Sequence, residues 1–155
     1  MAGLYLSHLK YHVIEPTLAT LGLNCTVALN LVTGTALVES GAQYLKQNGG
    51  PALGLFQMEP TTEQDIWKNY LAYQPDLATK MRALLAPGET TPQLVWNLAY
   101  AAAMCRLKYK RAPEALPAAT DAAGMAAYHK QIYNSPLGAA NPAKNQPFFA
   151  MAINT

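Results

Sequence analysis

The chain has 155 residues, 51% of them hydrophobic and 13% charged, with a formal net charge of +2. That length suits a single folding unit with a sizeable core, and so weak a positive balance gives no ground for a nucleic-acid partner. The densest basic run, Lys108-Tyr109-Lys110-Arg111, reads as the end of a helix, where cations complement the C-terminal dipole.

In chain order, a first amphipathic helix is expected over about Leu4 to Leu21, kinked or split by Pro16 and ended by Gly22. His8 and His12 lie four apart and can share one face of it. Two such ligands alone make a poor metal site, and no Cys-x-x-Cys or further histidine pair adds to it, so no metal or cofactor is expected. Met1 to Val13 holds His8, Lys10 and His12 and lacks the apolar core of a signal peptide, which implies synthesis in a cytoplasm without export. The uncharged run from Pro16 to Val38 is long enough to raise the question of a membrane span. Its Pro16, Gly22, Asn24, Asn30 and Gly34 point instead to a turn followed by a buried helix, with Asn24 as N-cap and Glu39 near the end.

Gly41 to Leu53 is expected to be irregular. Thr61 or Thr62 should cap a helix through about Tyr73, the pair Thr61 and Gln64 having capping-box spacing. Pro75 opens a short helix to about Leu85, and Pro87-Gly88 breaks it. Thr91-Pro92 then opens a long helix to about Lys110, with Trp96, Ala99, Ala103 and Leu107 at helical spacing. After a connection over Pro113 to Pro117, Thr120 and Asp121 cap a last helix through about Tyr133. Ser135 to Thr155, rich in Pro, Asn and Ala, reads as extended. The expected organisation is a mainly α domain over 1–135 with little or no β-sheet, then an extended C-terminal tail over 136–155. Four large apolar side chains in that tail, Phe148, Phe149, Met151 and Ile153, suggest docking on a partner protein. Cys25 and Cys105 are expected to be buried free thiols.

Glu39 is the first ionisable acid or base after the uncharged run, and Ser40-Gly41 follow it. A carboxyl set against apolar surroundings resists ionisation, and one that keeps its proton near neutral pH can deliver it to a glycosidic oxygen. Gly54-Leu55-Phe56-Gln57, closed by Pro60, reads as a tight turn that presents Gln57, whose amide both donates and accepts. No carboxylate lies between Ser40 and Met58. Glu59 is the first after the turn, followed by Glu63 and Asp65. Trp67, Tyr70, Tyr73, Tyr128 and Tyr133 are candidate aromatic walls of a cleft, while Trp96 and Tyr100 read as core.

Glu39-Ser40 and the later Pro51-Ala52-Leu53-Gly54-Leu55-Phe56-Gln57 with Pro60 resemble the first two motifs of the lysozyme-like superfamily of soluble lytic transglycosylases and goose-type lysozymes. The separation between Glu39 and Gln57, 18 positions (57 minus 39), is similar to that family's. Phe56 stands where the family usually has Met. Asn97-Leu98-Ala99-Tyr100-Ala101-Ala102 resembles its later Ala-rich helix. Ala126-Ala127-Tyr128 resembles the start of its Ala-Tyr-Asn motif, with His129 where Asn is expected. The resemblance implies a lysozyme-like helical domain that cleaves the β-1,4 linkage between N-acetylmuramic acid and N-acetylglucosamine in peptidoglycan. It implies Glu39 as general acid and base, with Ser40, Gln57 and Tyr128 around the glycan strand; Glu59, immediately after the turn, is placed either to face the same cleft or to start the next helix. It also implies a bacteriophage particle as the location. A non-catalytic tail or baseplate subunit of a phage that keeps the same fold is the alternative, with the C-terminal tail contacting other virion proteins.

Overall fold

Two helices with no polar side organise the fold, which we describe from a computed structural model covering residues 3–134 and 137–155. α3 (Thr26–Ser40) is buried from Ala28 to Ala36, and α7 (Leu98–Lys110) from Tyr100 to Leu107 and again at Tyr109. Helices without a wet polar stripe lie inside a protein, and these two are buried over most of their length, α7 being exposed only at its cationic last turn. One side of α7 joins Ala101, Ala102, Cys105 and Tyr109 to a cluster with α3 residues Leu31, Val32 and Ala36. Its other side joins Tyr100, Ala103, Met104 and Leu107 to a second cluster with Met58, Ile66, Leu71 and Met81. The domain is thus two packed lobes sharing one central helix.

The N-terminal segment runs as one winding rod through α1 (Leu6–His8), a π-helical stretch (Leu9–Ile14) and α2 (Glu15–Thr20). The widening has a local cause. Pro16 has no N–H and its ring crowds the carbonyl four residues back. The ladder shifts just before it, so that Glu15 N–H bonds the carbonyl of Lys10. Gly22, at φ 70°, ends the rod, and the Leu23 N–H closes onto the Leu18 carbonyl at 2.9 Å. The N-cap of α3 is Cys25, one residue later than expected, and its thiol is exposed rather than buried.

The second lobe contains α4 (Pro60–Asn69), a 3₁₀ turn (Leu71–Tyr73), α5 (Pro75–Leu84) and the short α6 (Gln93–Trp96). Pro60 occupies the first turn of α4, which puts Glu59 at the N-cap and leaves the Thr61 and Gln64 box unformed. The long helix expected from Thr91-Pro92 is broken at Asn97. That residue's side chain accepts from the Tyr100 N–H at 3.1 Å and donates to the Leu84 carbonyl at 2.8 Å, starting α7 and tying it to α5. Trp96, expected in the core, is left exposed at the break. α8 (Ala122–Tyr128), capped by Asp121, continues as π-helix over His129–Asn134. The fold is mainly α. Among the described residues there is no strand, only isolated bridges pairing Leu53 with Lys46 and with Met58.

The C-terminal segment overturns the expectation of an extended tail. Asn141 caps α9 (Pro142–Asn154), accepting from the N–H groups of Ala143 and Lys144, and Pro142 sits harmlessly in the first turn. Pro147 lies inside the helix and removes a ladder bond, a cost that tertiary burial outweighs. Phe149 and Ala152 are fully buried, with Ile153 packed beside them. Phe149 lies on Gly34 of α3, so close that a Cβ there would meet its ring at 2.3 Å. The buried Lys10 ammonium donates to the Ala152 carbonyl at 2.7 Å, tying the last turn to the first rod. Residues 142–154 therefore belong to the domain. Ser135 and Pro136, where the domain boundary was expected, lie outside the described residues.

Candidate functional site

Glu39 is brought to the surface by how α3 ends. Gly41, at φ 61°, takes the left-handed cap conformation, and Ala42 at φ 56° follows it. The Gly41 N–H bonds the Leu37 carbonyl at 2.9 Å and the Ala42 N–H reaches the Ala36 carbonyl at 3.2 Å. The chain leaves the helix abruptly, and the carboxylate in the last turn opens into a cleft of about 680 Å³. Glu59, Gln57, Lys108, Tyr133 and Asn134 share its walls, and Tyr44, Lys46, Gln47 and Asn48 form another part of its lining.

The opposite wall is the turn Gly54 to Gln57. Leu53 and Met58 exchange backbone hydrogen bonds at 2.9 and 3.1 Å and close the four-residue loop. Gly54 is obligatory: it has φ 78°, and a Cβ would lie 1.9 Å from the Leu94 carbonyl oxygen. Gln57 is also left-handed, at φ 47°, a conformation that costs a non-glycine residue about 1–3 kcal/mol and so marks a constrained position. Its amide donates to the Gly54 carbonyl at 2.8 Å, which fixes the side chain while leaving it on the cleft wall.

Two hydrogen bonds to consecutive carbonyls hold this turn in place. The Ser40 hydroxyl donates to the Leu55 carbonyl at 2.7 Å, and the Tyr133 hydroxyl donates to the Phe56 carbonyl at 2.6 Å. Three segments distant in sequence are thereby locked around Glu39. Behind it lies His129, whose Nε2 is 2.7 Å from Glu39 Oε1; their side chains are 1% and 20% exposed. The His129 ring stacks on Tyr133, with centroids 5.6 Å apart, and meets Phe149 of α9 at 5.8 Å. Lys108 donates to the Tyr133 carbonyl, its Nζ 4.2 Å from that ring's centroid. Burial holds the Lys108 ammonium below the usual lysine range, and burial pushes the Tyr133 phenol and the Cys105 thiol well above theirs.

The expected site residues divide as follows. Glu39, Gln57 and Glu59 line one cleft. Ser40 does not: it is buried, and its hydroxyl is committed to the turn, so it supports the wall rather than meeting a ligand. Tyr128 does not either. Its ring stacks on Tyr109 at 5.6 Å and its hydroxyl donates to the Glu114 carbonyl at 3.0 Å, away from the cleft lining. Trp67, Tyr70 and Tyr73 also lie off the cleft, Trp67 donating to the Tyr100 hydroxyl at 2.9 Å. Glu63 and Asp65 are engaged elsewhere, by Tyr100 at 2.6 Å and by Arg111 at 2.5 Å. That leaves Glu59 as the one other carboxylate on the cleft among the described residues. Tyr133, a candidate cleft aromatic from the sequence, does line the cleft, whereas His129 and Asn134 are not among the candidates the sequence offers. No local pattern in the sequence points the His129 ring at Glu39, 90 positions away.

Among the described residues no group of three or more metal-ligating side chains converges, and no helix is long and apolar enough to cross a membrane. The basic run near Lys108 forms no patch, since Lys108 turns into the cleft and Arg111 pairs with Asp65. Comparison with family models, characterised proteins and solved structures gave no match.

Proposed function

We propose that the protein cleaves the glycan strand of peptidoglycan, between N-acetylmuramic acid and N-acetylglucosamine, with Glu39 as the acid and then the base. The observation that carries this reading is the lone α3 carboxylate, backed by apolar helix and presented at the wall of an open polar cleft beside Gln57. The polar lining of the cleft, with the amides of Gln47, Asn48, Gln57 and Asn134, suits the hydroxyl and N-acetyl groups of a sugar.

Glu39 donates its proton to the glycosidic oxygen as the C1–O bond breaks. In the transglycosylase form of the reaction, the muramyl 6-hydroxyl attacks C1 and returns its proton to Glu39, leaving a 1,6-anhydro ring. A hydrolase would use Glu59 to direct water onto the same carbon. We favour the first route, because Glu59 is an exposed N-cap with no buried partner to orient it.

The test is digestion of purified cell wall by the wild type and by Glu39→Gln. Loss of a general acid should lower the rate about 10²–10⁴-fold, while the melting temperature stays put. Products one water lighter than hydrolysis gives support the anhydro route; reducing-end products sustained by Glu59 would replace it. Wild-type lysis by Glu39→Gln would refute the assignment. Of the four apolar side chains that suggest a docking role for the C-terminal segment, Phe149 is core and Ile153 packs beside it, while Phe148 and Met151 remain exposed.

A further inference from the structure

We propose that His129 is a positioning residue for Glu39: its Nε2–H holds Oε1, so that Oε2 is the oxygen that carries the catalytic proton into the cleft. This rests on Glu39 being the acid.

The argument starts from the two imidazole nitrogens. His129 is fully buried, wedged between the Tyr133 and Phe149 rings. Its Nε2 has one partner, Glu39 Oε1 at 2.7 Å, while its Nδ1 is buried and has none. The groups facing this pocket do not change that. Phe149 of α9 offers no polar atom, and the polar groups around Tyr133 are committed elsewhere, Tyr109 to Thr35, Lys108 to the Tyr133 carbonyl and the Tyr133 hydroxyl to the Phe56 carbonyl. A proton on Nδ1 would be a buried donor without an acceptor, and buried donors left unpaired are the costly kind. The favoured tautomer therefore carries its proton on Nε2 and gives it to Oε1.

The consequence falls on the carboxyl. An oxygen that accepts from Nε2–H is the carbonyl oxygen of the protonated acid, so the acidic proton sits on Oε2. Oε2 makes no hydrogen bond among the described residues, and the side chain borders the cleft. The opposite arrangement, Glu39 donating inward to a bare Nε2, would hide the proton from substrate and strand an Nδ1–H in the core. His129 thus selects which oxygen does the chemistry, and α9 braces it through Phe149.

Nitrogen-resolved NMR of the intact labelled protein should find His129 protonated at Nε2 and bare at Nδ1. Replacing the ring by one of similar shape without a donor, His129→Phe, should lower kcat for wall cleavage about 10–100-fold with KM little changed, as misplacement of a catalytic group does. His129→Gln, whose amide reaches the Nε2 position, should recover most of that loss. Protonation at Nδ1, wild-type kcat in His129→Phe, or a His129→Gln variant as slow as His129→Phe would each overturn the inference. If Glu39→Gln digests wall like the wild type, the functional reading fails separately, and the NMR assignment still judges the hydrogen bond.

Discussion

Replacing Phe149 by Ala tests whether the C-terminal helix is part of the domain. Phe149 is 0% exposed, rests on the bare backbone of Gly34 and braces the His129 ring. Little can collapse into the space, because Gly34 of the buried helix α3 has no side chain to swing in. Phe→Ala truncations in such sites cost about 3–5 kcal/mol. For a chain of 155 residues, each kcal/mol lowers the melting temperature by about 2–4 °C, so a drop of about 6–20 °C is expected. Thermal unfolding followed by circular dichroism measures it, with Phe148→Ala as control, because Phe148 is 38% exposed on the same helix. A Phe149→Ala shift no larger than that of Phe148→Ala would refute the packing and return residues 142–154 to the status of a free arm.

Two further outcomes follow from the geometry. Gly54→Ala should fold poorly or lose the cleft, since the added Cβ meets backbone 1.9 Å away and the residue sits at φ 78°; soluble yield and melting temperature against a Gly49→Ala control, where nothing lies within 4 Å, would check it. Asp65→Asn should flatten the acid limb of the stability curve. Its hydrogen bonds from Asn69 and Arg111 hold the Asp65 carboxyl below the usual carboxylate range, so its contribution is present above the unfolded-state value and is lost as pH falls through the folded one. Melting temperatures from pH 7 down to pH 2 for both proteins would read this, and parallel curves would refute it; the pair is exposed, so the effect should be small.

How much of this was legible in the sequence depends on the range of the forces involved. Gly22, Gly41, Gly54 and Pro75 punctuate the chain by local sterics, and each stands where its residue type demands. The error at Pro60 was one of priority: a Pro at N1 outranks a nearby Thr as a start signal. The C-terminal segment folds against its composition because its local pattern is helical. Asn141-Pro142 is a helix-start pair, and Phe149, Ala152 and Ile153 are spaced i, i+3, i+4. Composition could not show that Gly34, many residues earlier, leaves a slot of the right depth for Phe149.

The site itself was half legible for the same reason. Glu39 and the Gly54 to Gln57 turn announce themselves because their local backbone needs particular residues. What fixes them relative to one another is two hydroxyls and an imidazole from other elements, and such partners have no short-range signature. Ser40, read as a ligand contact, ties α3 to the turn; Tyr133, read as one aromatic among several, ties the turn to the π-helical segment. That segment matters for its register. His129 and Tyr133 are four apart and still stack face to face, which points one residue's nitrogen at Glu39 and the other's hydroxyl at Phe56. A substitution that restored a plain α-helix over 129–134 would turn these two groups away from their partners without changing either. The carboxylate is therefore only as well placed as a helix about 90 residues further along the chain makes it.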